Sequence, residues 1–400
     1  MPNKTLEKWE EKILDEICNF SRGLTYSKKD EVETSNNIVL RANNIDLISN
    51  SLNFDELKYI NSEIIIPEDK KVKANSIMIC ISSGSKSHLG KVAFIDKNYG
   101  YAFGGFMGLI IPNDNILPKF LYYMLISPAF KNLIFNLTDG ANINNLKYSD
   151  LKDFKLNIPP LSEQQRIVGI LDEAFENIEK AKQNALQNLN NAKELFESRL
   201  NKTFLNIDKN VNKKLSELAQ IIGGGTPSKD NKSFYIGDIP WATVRDMNTD
   251  LLTETEFLIN EDAVKNSSTN IIPAGNIIIA TRVGLGKVCI LAQDTAINQD
   301  LKGIMPVKQI TSKFLFWWFK SIKNKIIEAG IGATVKGVKL PFIQNLDVPF
   351  INIKEQQKIV AQLDELQEQT RKLEQIYEQK IKDLDELKQS ILQKAFNGEL

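Results

Sequence analysis

Two arginines occupy matching places in a short motif that recurs along the chain. Arg41 lies in Leu40-Arg41-Ala42-Asn43-Asn44-Ile45-Asp46, and Arg245 lies in Val244-Arg245-Asp246-Met247-Asn248-Thr249-Asp250. Arginine, asparagine and aspartate repeat there at the same spacing. An arginine offers a rigid fork of donors that fits guanine O6 and N7, or a phosphate. Each could equally be a structural residue held by the aspartate of its own motif, and the sequence leaves both roles open. Asn44 and Asn248 travel with them as candidates. A second motif, Leu89-Gly90-Lys91-Val92, recurs as Leu285-Gly286-Lys287-Val288. A tight turn of this kind can present backbone N–H groups and a cation to a phosphate, or be an ordinary hairpin turn. The loops before it place Lys86 and Arg282 at similar positions.

Gly223-Gly224-Gly225-Thr226-Pro227-Ser228-Lys229 suggests a nucleotide loop at first sight. It lacks the GxxxxGK[ST] arrangement and no clean strand-to-helix transition follows, so Thr226 and Lys229 fit a loop touching a DNA backbone better. The matching place in the first half is Ser21 to Lys29. Catalytic signatures are missing: there is no nucleophile elbow, no HExxH and no methyl-donor glycine motif. His88, the sole histidine, has no counterpart in the second half. Cys18, Cys80 and Cys289 stand far apart without metal-like spacing and read as buried hydrophobes in a reducing compartment. No metal site is expected.

The elements that must position these residues fall into four segments. Residues 1–158 and 208–350 read as mixed α and β, with short apolar strands bounded by polar turns. In the first, these are Ile38–Leu40, Ser76–Ile81, Lys91–Ile95 and Phe106–Ile111, followed by an apolar helix at Phe120–Ile126. In the second, they are Asn276–Ala280, Lys287–Leu291 and Lys302–Ile304, with the matching helix at Lys313–Phe319. Residues 159–207 and 351–400 each read as a helix of about 40 residues, about 60 Å long. Both open on the same words. Glu163-Gln164-Gln165 and Glu355-Gln356-Gln357, and Leu171-Asp172 and Leu363-Asp364, stand 192 residues apart. That period is too long for a solenoid unit and marks a duplicated module.

Apolar residues in the first helix recur at Leu171, Phe175 and Ile178 and onward at heptad spacing, and in the second at Leu363, Leu366 and Leu373. Those residues and the paired glutamines are the candidates for helix packing or partner contact. The expected fold is α+β: two similar mixed α/β domains separated by two long antiparallel coiled-coil helices about a pseudo-twofold. Fifty basic and fifty acidic side chains give zero net charge, a weak argument against a nucleic-acid partner. Residues 208–350 carry 17 basic against 14 acidic side chains, so charge alone does not decide it. No run of eighteen apolar residues and no secretory h-region occurs, so no membrane is expected and the cytoplasm is the expected location.

Together, the two proline-led helix openings, Lys214 to Asn231, Ile239 to Asn248, and Gly332-Ala333-Thr334 before Lys339 make the chain resemble the specificity subunit of type I restriction-modification systems. The resemblance covers nearly all of the sequence. It implies two target recognition domains, residues 1–158 and 208–350, each reading one half of a split double-stranded DNA site. It implies conserved helices that set the unread spacer, and no catalysis by this chain. Two adenine methyltransferase subunits using S-adenosylmethionine, and translocase-nuclease subunits using ATP and Mg2+, are the implied partners. Phe103-Gly104-Gly105-Phe106 stands where the second half has Ile297-Asn298-Gln299-Asp300, which favours two different half-sites. Without the resemblance, a two-domain coiled-coil adaptor binding proteins rather than DNA would compete.

Overall fold

The computed structural model describes residues 9–138, 145–332 and 336–400, apart from the side chains of Lys86 and Thr138. Gly140-Ala141 and Ala333-Thr334 of the repeat lie outside the described residues. The chain divides into two compact units, Met1–Ala185 with Gln379–Leu400, and Leu186–Glu378.

In the first unit, strands Glu10–Ile13 and Lys155–Ile158 pair antiparallel, with Glu10 opposite Ile158. The start and end of the globule are thus stitched together where a long helix departs. Strands Cys18–Arg22, Met107–Pro112, Ser76–Cys80 and Val92–Ile95 form an antiparallel sheet in that order. Every residue of Ser76–Cys80 is buried, which explains its unbroken apolar run. One face packs Ile77, Ile79 and Ile110 against Phe120 and Leu121 of helix Pro118–Leu125. The other packs Met78, Cys80 and Leu109 against Leu40 and Phe103 of a second sheet. That sheet orders Glu31–Val32, Lys58–Ile60, Asn37–Leu40 and Ala102–Phe103, its last pair parallel.

The second unit repeats the plan. Asn212–Lys214 pairs with Asp347–Pro349. The larger sheet orders Ala219–Gly223, Leu301–Pro306, Ile277–Ala280, Val288–Leu291 and Leu251–Leu252. The smaller one orders Phe257–Ile259, Ile239–Ala242, Thr295–Ile297 and Asn270–Ile272, again with a parallel pair, Ile239–Ala242 beside Thr295–Ile297. Helix Ser312–Ser321 is capped by Thr311, whose hydroxyl accepts from Phe314 N. Its residues from Phe314 to Phe319 are all buried, because sheet residues such as Ile277 and long-helix residues such as Leu363 share one core with them.

The two mixed α/β domains agree with expectation; the long antiparallel coiled-coil pair between them does not. The two longest helices, Leu161–Leu205 and Ile353–Phe396, do pack together. In the first unit Lys182 pairs with Asp385 at 2.7 Å, and the Lys388 ammonium lies 4.9 Å from the centre of the Phe175 ring. A simple coiled-coil linker would bury a continuous a/d seam. Here Leu373 and Leu387 of the second helix are 43% and 47% exposed. The buried positions are instead absorbed into the globular cores, Ile167, Leu171, Leu392 and Ala395 in one and Leu200, Phe204 and Leu363 in the other. The apolar periodicity is present, but much of what it packs against is the sheet-and-helix layer of each globule. Among the described residues, no helix is long and apolar enough to cross a membrane.

Candidate nucleic-acid interface

The repeated helix openings prove to be clamps onto the globules. Gln164 is fully buried: its Oε1 accepts from Leu117 N at 2.8 Å, and its Nε2 donates to Pro159 O at 2.9 Å and Asn115 O at 3.3 Å. Gln356 does the same, accepting from Thr311 N at 2.9 Å and donating to Ile351 O and Gln309 O at 2.8 and 2.9 Å. Each amide therefore fixes the loop that leads into the apolar helix of its own globule. One helical turn pair further on, Asp172 takes Lys119 at 2.7 Å and the Tyr123 hydroxyl, while Asp364 takes Lys313 and, at 3.1 Å, Trp317 Nε1. Leu171 and Leu363 are buried beside them, as is Ile178. Phe175 meets Tyr123 edge-on, and Leu366 is half-buried. Gln165 and Gln357 are exposed, as is Leu373.

The globules themselves share a cleft between their two sheets. In the first it measures about 780 Å³ and in the second about 660 Å³. The backbone hydrogen bonds fix the correspondence. Gly104 N donates to Leu40 O, and Asn298 N to Ala242 O. Arg41 N donates to Asn44 Oδ1 at 2.8 Å, and Thr243 N to Asp246 Oδ2 at 2.7 Å. Arg41 thus corresponds to Thr243, and Arg245 to Asn43. The sequence pairing of Arg41 with Arg245 is two residues out of register. Both arginines nevertheless line their clefts. Neither is held by the aspartate of its motif. Asp46 accepts from Ile48 N and Ser49 N, and Asp250 takes Lys320, Gln367 and Arg371.

Arg41 keeps a buried Nε that has no hydrogen-bond partner. Arg245 stands out from the surface, with Glu256 3.9 Å away. Arg282 pairs with Asp300 at 3.5 Å and is half-exposed. Thr226 hydrogen-bonds Gln299, and Lys229 lies exposed on the same cleft. Arg41 thus stands at the first cleft, and Arg245, Thr226 and Lys229 at the second with Arg282 held beside it by Asp300; four other candidates do not. Asn44 is buried and donates to Asn53 O and Glu56 O, so its amide braces a loop. Lys91 is only 7% exposed and donates to Ile45 O at 2.8 Å, and burial lowers its pKa. Lys287 is half-buried and reaches Val244 O and Asn248 Oδ1, both at 3.3 Å, so lysine and asparagine hold the loop behind the cleft. The Lys86 side chain lies outside the described ones.

The glycine run also has a packing reason. A Cβ on Gly224 would lie 2.2 Å from Asn298 O, and one on Gly23 would lie 2.0 Å from Gly104 O. Both glycines let the chain lie close against the backbone of Phe103-Gly104 and of Ile297-Asn298. The sequence alone does not single out Arg22, whose Nε donates to Gly105 O at 3.3 Å, nor Tyr235 and Phe257, which form an aromatic wall with Trp241, a residue the sequence does suggest as shaping a surface. Trp241 is buried and donates to Gly225 O, which fixes that wall. Arg22 falls inside the stretch matched to the glycine run, so its place was indicated though its role was not. The three cysteines are buried, and burial pushes their thiols up to about 12, 11 and 12 for Cys18, Cys80 and Cys289. Among the described residues, no group of three or more His, Cys, Asp or Glu is arranged to hold a metal ion.

A model of the type I restriction modification DNA specificity domain matches residues 6–188 and again 207–383. The chain is 36% identical over 159 residues to the EcoR124I/EcoR124II type I restriction enzyme specificity subunit of Escherichia coli. It is 32% identical over 174 residues to the MjaIX specificity subunit of Methanocaldococcus jannaschii. Those stretches cover 38% and 42% of this chain, and only 39% and 40% of the two relatives' own lengths. Over its whole length the fold is similar to a chain from a structural study of the complex assembly and conformational transition of the type I R-M system. The TM-score is 0.81 at 19% identity, covering 100% of both chains. The HsdS subunit from Thermoanaerobacter tengcongensis has a similar fold, with a TM-score of 0.60 at 18% identity, covering 100% of this chain and 99% of that one. With its two globular units matched separately by the same family model, the chain belongs to the type I restriction-modification DNA specificity family.

Proposed function

We propose that this chain is the sequence-reading, non-catalytic subunit of a type I restriction-modification complex. Residues 1–158 and 208–350 are its target recognition domains, each taking one half of a bipartite double-stranded DNA site in its cleft. Residues 159–207 and 351–400 join them. The observation that carries this reading is the pair of clefts, set at the same place in the two globules by the same backbone hydrogen bonds and lined by different side chains. Arg41 and Arg22 serve the first half-site, and Arg245, Arg282 and Lys229 the second. Guanidinium groups suit both guanine edges and phosphates. The chain directs adenine methyltransferase and ATP-dependent restriction subunits to the site. S-adenosylmethionine, ATP and Mg2+ act in those partners.

The test is to co-express the chain with its proposed methyltransferase partner and map methylated adenines across the host genome. A split motif is expected, and Arg41→Ala should relax one half of it while Arg245→Ala relaxes the other. A contiguous motif, or methylation indifferent to both substitutions, overturns the reading.

A further inference from the structure

The most exposed large apolar side chain lining each cleft comes from a different loop in the two modules, Phe106 in the first and Val283, ahead of Phe257, in the second. In the first, the turn Gly104–Met107 is closed by Met107 N donating to Gly104 O at 2.8 Å. Its tip holds Phe106, 69% exposed, whose carbonyl accepts from Ile81 N at 3.0 Å and Ser82 N at 3.1 Å. The corresponding turn in the second module closes with Leu301 N donating to Asn298 O, and Asp300 O accepts from Thr281 N and Arg282 N. The residue in the place of Phe106 is therefore Asp300, which is paired with Arg282. There the most exposed apolar group comes from the neighbouring loop. Val283 is 51% exposed and lines the cleft, with φ at 40°. A β-branched residue in the left-handed region is strained, and glycine would sit there more comfortably. The loop of the first module has Ser83 and Gly84 along its cleft instead.

Single exposed apolar residues are ordinary on protein surfaces. These two differ in place: each stands on a hydrogen-bonded turn or strained loop, beside arginines, at the mouth of a corresponding cleft. Keeping a valine at a strained position and exposing it does nothing for the fold. We propose that Phe106 and Val283 are the apolar base contacts of the two modules, each seated against the C5-methyl group of a thymine. In the major groove that methyl is the apolar feature of a base edge, and the flanking guanidinium groups would fix the register by their own polar contacts. The assignment rests on the reading of the chain as a DNA-reading subunit.

The experiment uses the full chain co-purified with its proposed methyltransferase partner, and a pool of randomised DNA duplexes from which bound sequences are enriched. In the enriched duplex, uracil then replaces thymine one position at a time. For the wild-type protein one substitution in each half should weaken binding about fourfold, the worth of one buried methyl group. Phe106→Ala should abolish that sensitivity in one half only, and Val283→Gly in the other. Val283→Gly should also keep or raise the melting temperature, which separates lost contact from lost fold. Variants that retain the wild-type response to uracil overturn the assignment, as does weakening that ignores the methyl group, the signature of a wedge between base steps. If wild type enriches no sequence at all, the DNA reading itself falls.

Discussion

Gln164 and Gln356 make the same three hydrogen bonds in their two units, and Asp172 and Asp364 each take a lysine and an aromatic donor. The turns at the cleft mouths share their backbone bonds too, yet one carries Gly105-Phe106 and the other Gln299-Asp300. Side chains that hold the helix to its globule are kept, and side chains that face the cleft are changed. The duplicated words near residues 164 and 356 therefore record how a module is assembled. On the proposed function, what each module meets is recorded in the residues that failed to repeat.

The sharpest way to break this comparison is to empty the frame. Leu171 and Leu363 are buried at matching places, 0% and 2% exposed. Truncating either to alanine should destabilise the chain by about 3 kcal/mol, since a buried leucine loses both transfer energy and packing. Leu373→Ala, on the same a/d stripe as Leu363 but exposed, should change stability by less than about 0.5 kcal/mol. Urea unfolding monitored by circular dichroism measures all three. A large loss at Leu373 would restore the seam that its exposure argues against, and unequal losses at Leu171 and Leu363 would deny the shared frame.

The next effect is polar. Gln164→Met removes the acceptor for Leu117 N and two donors, leaving buried backbone groups unsatisfied. Such groups cost about 1–3 kcal/mol each, and relaxation returns part of that, so a loss of about 2 kcal/mol is expected for Gln164→Met and Gln356→Met alike. Gln165→Met and Gln357→Met, on the exposed side of the same helices, should leave the melting temperature unchanged. If the exposed pair proves to matter for recruiting a methyltransferase while the buried pair matters for stability, the repeated Gln-Gln has two separate jobs.

Much of this is legible in the sequence. Runs such as Ile77-Met78-Ile79-Cys80 and Phe314 to Phe319 are apolar because both sides are covered, and they stand where the strands and helices lie. The smaller sheet of the second unit leaves little mark in the sequence, because its strands are three or four residues long and include Pro240 and Asn270. The pairing of Arg41 with Arg245 is out of register because matching letters lie two residues away from the matching function. Asn44 and Asp246 share a role, an oxygen that accepts from the backbone N–H three residues earlier, without sharing an identity. The heptad pattern was real, but periodicity tells which face of a helix is covered and not by what. Lys182, Lys388 and Asp385 meet in the first unit where a seam would want leucines.

The smallest expected effect concerns Lys91, which sits behind the first cleft. Burial lowers its pKa from the usual lysine range, so the charged form is disfavoured in the folded state. Below the folded-state pKa, Lys91 is charged in both states and the burial penalty is present in full. Between that pKa and the unfolded value, the unfolded chain holds more proton than the folded one, so stability contributed by this site rises with pH. Lys91→Met removes the titration while keeping the length of the side chain. The difference in melting temperature between wild type and Lys91→Met should therefore move in favour of wild type as pH is raised from neutral toward 10.5, the ordinary lysine value. A difference that stays flat over that range would mean the ammonium reaches water. It would then belong with the cations proposed to face phosphate, and the division between a braced back and the proposed reading front would have to be redrawn at Ile45, the carbonyl it holds.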